Sequence, residues 1–255
     1  MVIENAVDVD IQYKVEGTFG VLPGASGGQI IRRVSSSFAL SKDAYSSNEV
    51  AQHLQVSDMR HGSRRVDGQL QGELSCLTYK DFMEAVLRGT WAAGSTFSAS
   101  AGNEITSTTS TFVRAGAGSF ITDGFRVGDI VRWTNLADAG NNDKNFRITA
   151  LSALVMTVAE TVVLNAGPDA TCSVTVTGKK LVTPVTRATI VKRSFTIEHN
   201  FTTLDQSDVF TGVRFGGMGL SMPPTGLATI NFRGMGQDGQ IMSAGSAPYL
   251  TAPAA

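Results

Sequence analysis

Gly234, Gly236 and Gly239 in "GMGQDG" keep the G-x-G-x-x-G spacing of a dinucleotide fingerprint. That spacing allows a tight turn and brings backbone amides against a pyrophosphate, provided a helix N-terminus comes next. The next residues, "QIMSAGSAPYL" (240–250), cannot form a stable helix, so the triplet reads as a glycine-rich strand exit. A Ser/His or Cys/His relay would need His53, His61 or His199 as its base. None stands beside a nucleophile elbow, and His199 alternates with Phe195 and Ile197 as a strand residue does. The three histidines form no ligand-spaced cluster with carboxylates. "DAGNND" (138–143) offers oxygen ligands without the bidentate Glu of a calcium loop, which leaves a polar hairpin turn. Cys76 and Cys172 lie far apart and give neither a metal spacing nor a disulfide framework. "NFT" (200–202) is a glycosylation acceptor only in a secreted chain. The expectation is a protein with no catalytic residues, cofactor or metal, and therefore not an enzyme.

The chemistry left over is basic. Arg60, His61, Arg64 and Arg65 crowd the end of "SKDAYSSNEVAQHLQVSDMRHGSRR" (41–65). Connections longer than about 12–15 residues are usually functional, binding or disordered. The stretch is too polar for a fold of its own, so it should order only when a neighbour supplies partners. Tyr45, Leu54, Val56 and Met59 are its apolar anchors. Nucleic-acid binding is a poor fit: the net charge is −1, and Asp58 and Asp67 offset the cluster.

The elements around that stretch are strands. Charged residues make up 17% of the 255, below the roughly 25% of an average soluble protein, and 27 glycines supply turns. "QIIRRVSSSFAL" (29–40) and "VDGQLQGELSCL" (66–77) come first. In the second, Leu70, Gly72 and Leu74 alternate with Gln69, Gln71 and Glu73, one face buried and one wet. "TYKDFMEAVLRGTW" then changes period: Thr78 as cap, Phe82, Met83, Val86 and Leu87 as stripe, Gly89 as stop. It reads as the one substantial helix. "RSFTIEHNF" (193–201), "DVFTGVRFGGMGLSMP" (208–223) and "GLATINFRGMG" (226–236) close the chain. The N-terminus "MVIENAVDVDIQYK" has acidic residues and no apolar run, so no signal peptide is expected. No segment approaches the ~18 apolar residues of a membrane helix, which predicts a soluble protein without membrane insertion.

Residues 92–111 are small and polar, a linker by composition. Beyond them about five short alternating runs, separated by "DG", "GD", "AGNND" and "NAGPD" turns, predict a small inserted β-barrel over 105–181. Its expected core is Phe125, Val127, Ile130, Val131, Ile148, Leu154 and Val158. The flanking segments, 1–104 and 182–255, form the expected main domain. The runs "FRVGDIVRW", "NFRITAL" and "VMTV" resemble small barrel modules inserted into phage tail proteins.

The order of elements outside the insert closely resembles that of the major tail tube proteins of long-tailed, non-contractile (siphovirus-type) phages. Two series carry the likeness: "SKD…SNE…R…R…DG…GELS…YKD…EA…GTW" and "SFTIEHNFTTL…VFTGVR…G…L…PP…G…NFRGMG". They span residues 11–91 and 186–239. The resemblance implies a β-sandwich or barrel flanked by one helix, six subunits to a ring, and rings stacked into a hollow tube. It implies that 41–65, with both terminal arms (1–28 and 240–255), touches the adjacent ring. The contact residues would be Tyr45, Glu49, Leu54, Met59, Arg60, Arg64 and Arg65, the arginines pairing with carboxylates across the interface. Paired hairpins would line a DNA channel, polar to acidic and without strong phosphate anchors. Alternation assigns Gln69, Gln71, Glu73, Thr196 and Glu198 to that lumen. Further implied partners are the tape-measure, tail terminator and distal tail proteins, with DNA passing unbound. The implied location is the virion tail, assembled in the bacterial cytoplasm, with the insert on the tube exterior.

Two other readings use the same residues. A head-decoration or connector protein would lack the long 41–65 connection. A host-surface module would use the insert, stacking Trp133 and Phe146 on a sugar, although aromatics in a small barrel are usually core.

Overall fold

The computed structural model describes residues 8–47, 59–75, 77–164, 167–243 and 245–251. The chain divides into two units, Met1–Thr90 with Val182–Ala255 and Trp91–Leu181.

The first unit opens with β1 (Val9–Val15), β2 (Gln29–Ile30), β3 (Ser35–Ser36), β4 (Ala39–Ser46) and β5 (Met59–Glu73). Helix α1 (Lys80–Leu87) comes next. The expected loop over 41–65 is therefore mostly a β-hairpin: Ala39 pairs with Asp67, Tyr45 with Arg60 and Ser46 with Met59. Its pattern hid the strands because both faces are wet beyond Val66, so no apolar alternation marks them. Glu49, His53, Leu54 and Val56 lie outside the described residues. Gly62 lets the Tyr45 ring lie across the strand, since an added Cβ would sit 2.2 Å from Tyr45 Cε2.

α1 is the only α-helix among the described residues, but its ends differ from expectation. Tyr79, not Thr78, takes the N-cap position, without a side-chain cap bond. Thr78 instead accepts from the Ser75 hydroxyl at 2.7 Å. The chain turns into the left-handed region at Arg88 (φ 55°), one residue before Gly89. The helix lays Phe82 on the sheet, 4.6 Å from the Tyr13 ring, 4.7 Å from Phe215 and 5.2 Å from Phe195. Phe82, Tyr13, Tyr79, Phe195 and Phe232 are all fully buried in this core, and Met83 and Val86 pack at its border.

The inserted unit runs through β6 (Ala92–Ala93), β7 (Thr96–Ser98), β8 (Ile105–Ser107), β9 (Thr111–Arg114) and β10 (Ile130–Thr134). It continues with β11 (Asn145–Leu151), β12 (Val155–Val158), β13 (Ser173–Val176) and β14 (Lys179–Lys180). Seven strands form one sheet in the order β7-β13-β10-β11-β12-β9-β8. Ile105 of β8 forms an isolated bridge with Asp169, just ahead of β13. The insert begins at 91 rather than 105, because β7 pairs with β13 and buries Phe97. Composition missed this: one aromatic among small polar residues supplies the anchor. β6 pairs with β14, so the entering and leaving chains are neighbours. Of the expected core, Phe125, Val131, Ile148 and Val158 are buried, whereas Val127, Ile130 and Leu154 are exposed. Their places are taken by Phe97, Ile105, Phe112, Phe120, Trp133, Phe146 and Met156.

The first unit resumes with β15 (Phe195–Phe201), β16 (Gln206–Ser221), β17 (Thr229–Gly236) and β18 (Asp238–Met242). Its nine-stranded sheet runs β2-β1-β15-β16-β17-β5-β3, with β18 on β16 and β4 on β5. The glycine triplet lies in the continuous edge that β17 and β18 present to β16, a strand exit with no helix after it. No described helix is long and apolar enough to cross a membrane.

Candidate assembly surfaces

The hairpin β4–β5 carries the expected contact residues. Tyr45, Met59, Arg60, Arg64 and Arg65 are exposed. Two of the arginines have carboxylate partners within the chain. Arg64 Nε lies 2.8 Å from Asp238 Oδ1, and its guanidinium donates to the Gly239 carbonyl at 2.7 Å. Arg65 lies 3.1 Å from Asp67 and 3.6 Å from Asp43. These contacts tie the hairpin to itself and to β18. They are half-exposed, so each is worth little alone.

The wet face of the sheet is built row by row. Ser35, Gln71, Asn231 and Gly219 are successive partners across β3, β5, β17 and β16. Gln69 faces Arg233, which faces Gly217; Glu73 faces Thr229, which faces Ser221. Register partners point to the same side of a sheet. Gln69, Gln71 and Glu73 are exposed as alternation requires, with Leu70 and Gly72 turned inward. Leu74 is exposed, beyond the end of the strand. Arg233 is an exposed cation on the same face. The face is mixed in sign, with Gln69, Gln71 and Glu73 beside the exposed Arg233 and Arg214.

Beside that face β16 has an open edge. β15 accompanies it only as far as Val213, and residues 214–221 pair with β17 alone. Among the described residues no strand meets their other edge, which leaves a row of backbone N–H and C=O groups unpaired. Met218 and Leu220 on this stretch, and Met222 and Leu227 at the hairpin end, are exposed.

Thr196 and Glu198 stand elsewhere. Both are 0% exposed. Thr196 donates to Glu16 Oε1 at 3.0 Å, and Glu198 accepts the Tyr249 and Leu250 amides. Chain covers this face, so the exposure expected of these two residues does not hold. Alternation separates the two faces of β15 but says nothing of the chain laid over one of them. Glu16 was missed as a positioning residue: it also accepts from Gly212 N at 2.7 Å and Gly20 N at 2.9 Å.

The groups with chemical potential are spent on structure. His199 is buried, its Nε2 2.9 Å from the Ser36 hydroxyl. Burial, helped by the Arg33 charge, pushes its pKa down to about 4. Cys172 is buried in the insert core, and that burial raises its thiol to about 12. Cys76 lies outside the described residues. Asn141 and Asn142 in the acidic-looking turn bond the backbone at Val163 and Leu136. No cluster of His, Cys, Asp or Glu among the described residues could hold a metal. Trp133 and Phe146, at 0% and 1% exposure, are core and offer no stacking surface.

The described chain is mainly β, with an open strand edge, an exposed hairpin and a polar sheet face, and no catalytic or metal cluster among the described residues. The chain belongs to the phage tail tube protein family, whose model matches residues 6–255. It is a structural component of the phage virion, located in the tail, and its family assembles with itself and with other tail components. No curated protein sequence matches it.

Proposed function

We propose that the chain is the major subunit of a non-contractile, siphovirus-type tail tube, with six copies closing each ring and rings stacking into the conduit for DNA. The observation that carries this reading is the open 214–221 edge of β16. A long unpaired edge either aggregates or is paired deliberately, and closure into a barrel removes it. The outer edge of β4 in the next copy is its natural complement, since among the described residues β4 pairs with β5 alone. Such a contact joins two different surfaces, and contacts of that kind close into rings when the rotation allows.

The row face would then line the lumen, with Gln69, Gln71 and Glu73 beside Arg233. Thr196 and Glu198 leave the lumen set because chain covers them. Each copy would bring Arg233 and Arg214 to this face, and their spacing among amides and carboxylates would keep the hold on DNA weak, because phosphate affinity grows with the number of cations engaged. The hairpin tip would reach the adjacent ring. The 91–181 unit has its own core and decorates the tube exterior. Tape-measure, terminator and distal tail proteins complete the partners, assembly takes place in the host cytoplasm, and no enzymatic step is involved.

Negative-stain microscopy of the purified protein tests this. Rings or tubes are expected; a dispersed monomer at every concentration would contradict it.

A further inference from the structure

Residues 191–193, just ahead of β15, do not run along β16. Val191 N donates to Arg88 O at 3.0 Å, and Arg193 donates to Gly89 O at 2.6 Å and Thr90 Oγ1 at 2.9 Å. This chain is therefore held at the end of α1, and pairing with β16 starts only at Phe195, opposite Val213. The gap is a cleft of about 510 Å³ with Ala85, Val191 and Phe215 among its walls. Five cations line it, Arg88, Lys192, Arg193, Arg214 and Arg233, and no carboxylate among the described residues does. A smaller hollow shares Gly217 and Arg233 with it and extends along β16 to Gly219.

Most of this charge is unspent. Arg193 lies 2.9 Å from Glu84, and the Arg214 guanidinium sits 4.0 Å over the Phe19 ring. Arg88, Lys192 and Arg233 are exposed, and their side chains have no carboxylate or hydrogen-bond partner among the described residues. In a chain of net charge −1, three unpaired cations around one cleft make a local field that draws an anion. The backbone is accessible as well. The register shifts between Phe215 and Gly217, and a Cβ added to Gly216 would meet nothing within 4 Å. Bulges of this kind are frequent beside functional sites.

A neighbouring copy's β4 does not answer this charge. Its two charged residues, Lys42 and Asp43, cancel, and Asp43 already accepts from the Ser63 hydroxyl at 2.9 Å and lies 3.6 Å from Arg65. A nucleic acid would engage the cations and leave the strand edge bare. A ligand that uses both needs a free backbone and carboxylates. We propose that the cleft and the adjoining edge take an extended, acidic peptide segment of another protein, which adds as a strand to residues 214–219 with its carboxylates against Arg88, Lys192 and Arg233. Such a segment covers the open edge in the free subunit, where a bare edge invites aggregation. On the tube reading above the same edge closes the ring, so the segment and the next copy compete for it, and its release frees the edge for assembly.

Fluorescence anisotropy on the full-length subunit, diluted below polymerisation, tests this with a labelled peptide of alternating Glu and Val. The peptide should bind, and a Lys/Val counterpart should not. Arg88→Gln/Lys192→Gln, two exposed positions, should keep the parent's melting temperature and weaken binding roughly fivefold, as the loss of two exposed ion pairs would. The Glu/Val peptide N-methylated on alternate residues, unable to pair along the edge, should bind weakly. Absence of peptide binding would overturn the proposal and leave the tube reading intact. Equal binding of the N-methylated peptide, or tighter binding of an oligothymidylate, would overturn strand addition in favour of a plain anion patch. In a second arm, excess Glu/Val peptide should delay tube growth, less so for the double variant. Tubes growing at the unhindered rate with peptide bound would overturn the competition and the ring-edge reading, while the binding itself stands.

Discussion

Gly72 and Tyr79 share one space: a Cβ built on Gly72 would lie 1.7 Å from the Tyr79 hydroxyl oxygen. That hydroxyl donates to the Arg32 carbonyl, which fixes the residue opening α1 against β5. Tyr79 is fully buried and also contacts Phe232, with ring centroids 5.7 Å apart, so it cannot move aside. Gly72→Ala should therefore destabilise the first unit by about 1–3 kcal/mol, as overpacking does in a tight core. A denaturant midpoint near that of the parent would show that the packing gives way.

The buried imidazole of His199 predicts a pH dependence. Its folded pKa is depressed to about 4, so the folded state binds the proton less well than the unfolded chain, whose value is near 6.5. Stability from this group is complete above about pH 6.5 and falls as pH drops toward 4, by about 3 kcal/mol if the whole shift applies. Asp208, its register partner, has a pKa raised by desolvation and acts in the opposite sense. His199→Gln should flatten the melting temperature between pH 7 and 5. An unchanged slope would assign the acid sensitivity to another group.

The insert should be removable. Lys179 pairs with Ala93 and Lys180 with Ala92, so the ends of the excised segment are adjacent strands, roughly 5 Å apart. Replacing 92–180 by a short Gly/Ser link should leave the first unit folded and tubes forming. Loss of all polymerisation with the fold intact would make the insert an assembly element.

Changing Arg60, Arg64 and Arg65 together to Ala should separate stability from assembly. The half-exposed pairs of Arg64 and Arg65 should cost at most about 1 kcal/mol each. Tube yield should fall further than that, because the hairpin loses its hold on β18 and its orientation. A loss of yield that only tracks the loss of stability would deny the hairpin a role in stacking.

These residues also show what could be read in advance. The alternation around Leu70 placed Gln69, Gln71 and Glu73 on the wet face, and the stripe through Phe82 located the helix. Both signals are periodic burial, which a sequence displays directly. The strands at 41–46 and 59–65 are wet on both faces and carry no such signal. Glu198 and Thr196 were misjudged because their cover comes from residues 50 or more positions away, at Tyr249, Leu250 and Glu16. The insert boundary failed on one residue, Phe97, whose burial depends on β13, far along the chain. The open edge of β16 is a property of where β15 begins, at Phe195 opposite Val213, which no local pattern reports.

The most direct test of the account is a helical reconstruction of assembled tubes by electron cryomicroscopy. It should show six copies per ring, with the 214–221 edge of β16 hydrogen-bonded to the hairpin β4–β5 of the next copy and Gln69, Gln71 and Glu73 facing the channel. A tube in which that edge faces solvent, or in which those three residues lie on the outer wall, would contradict it.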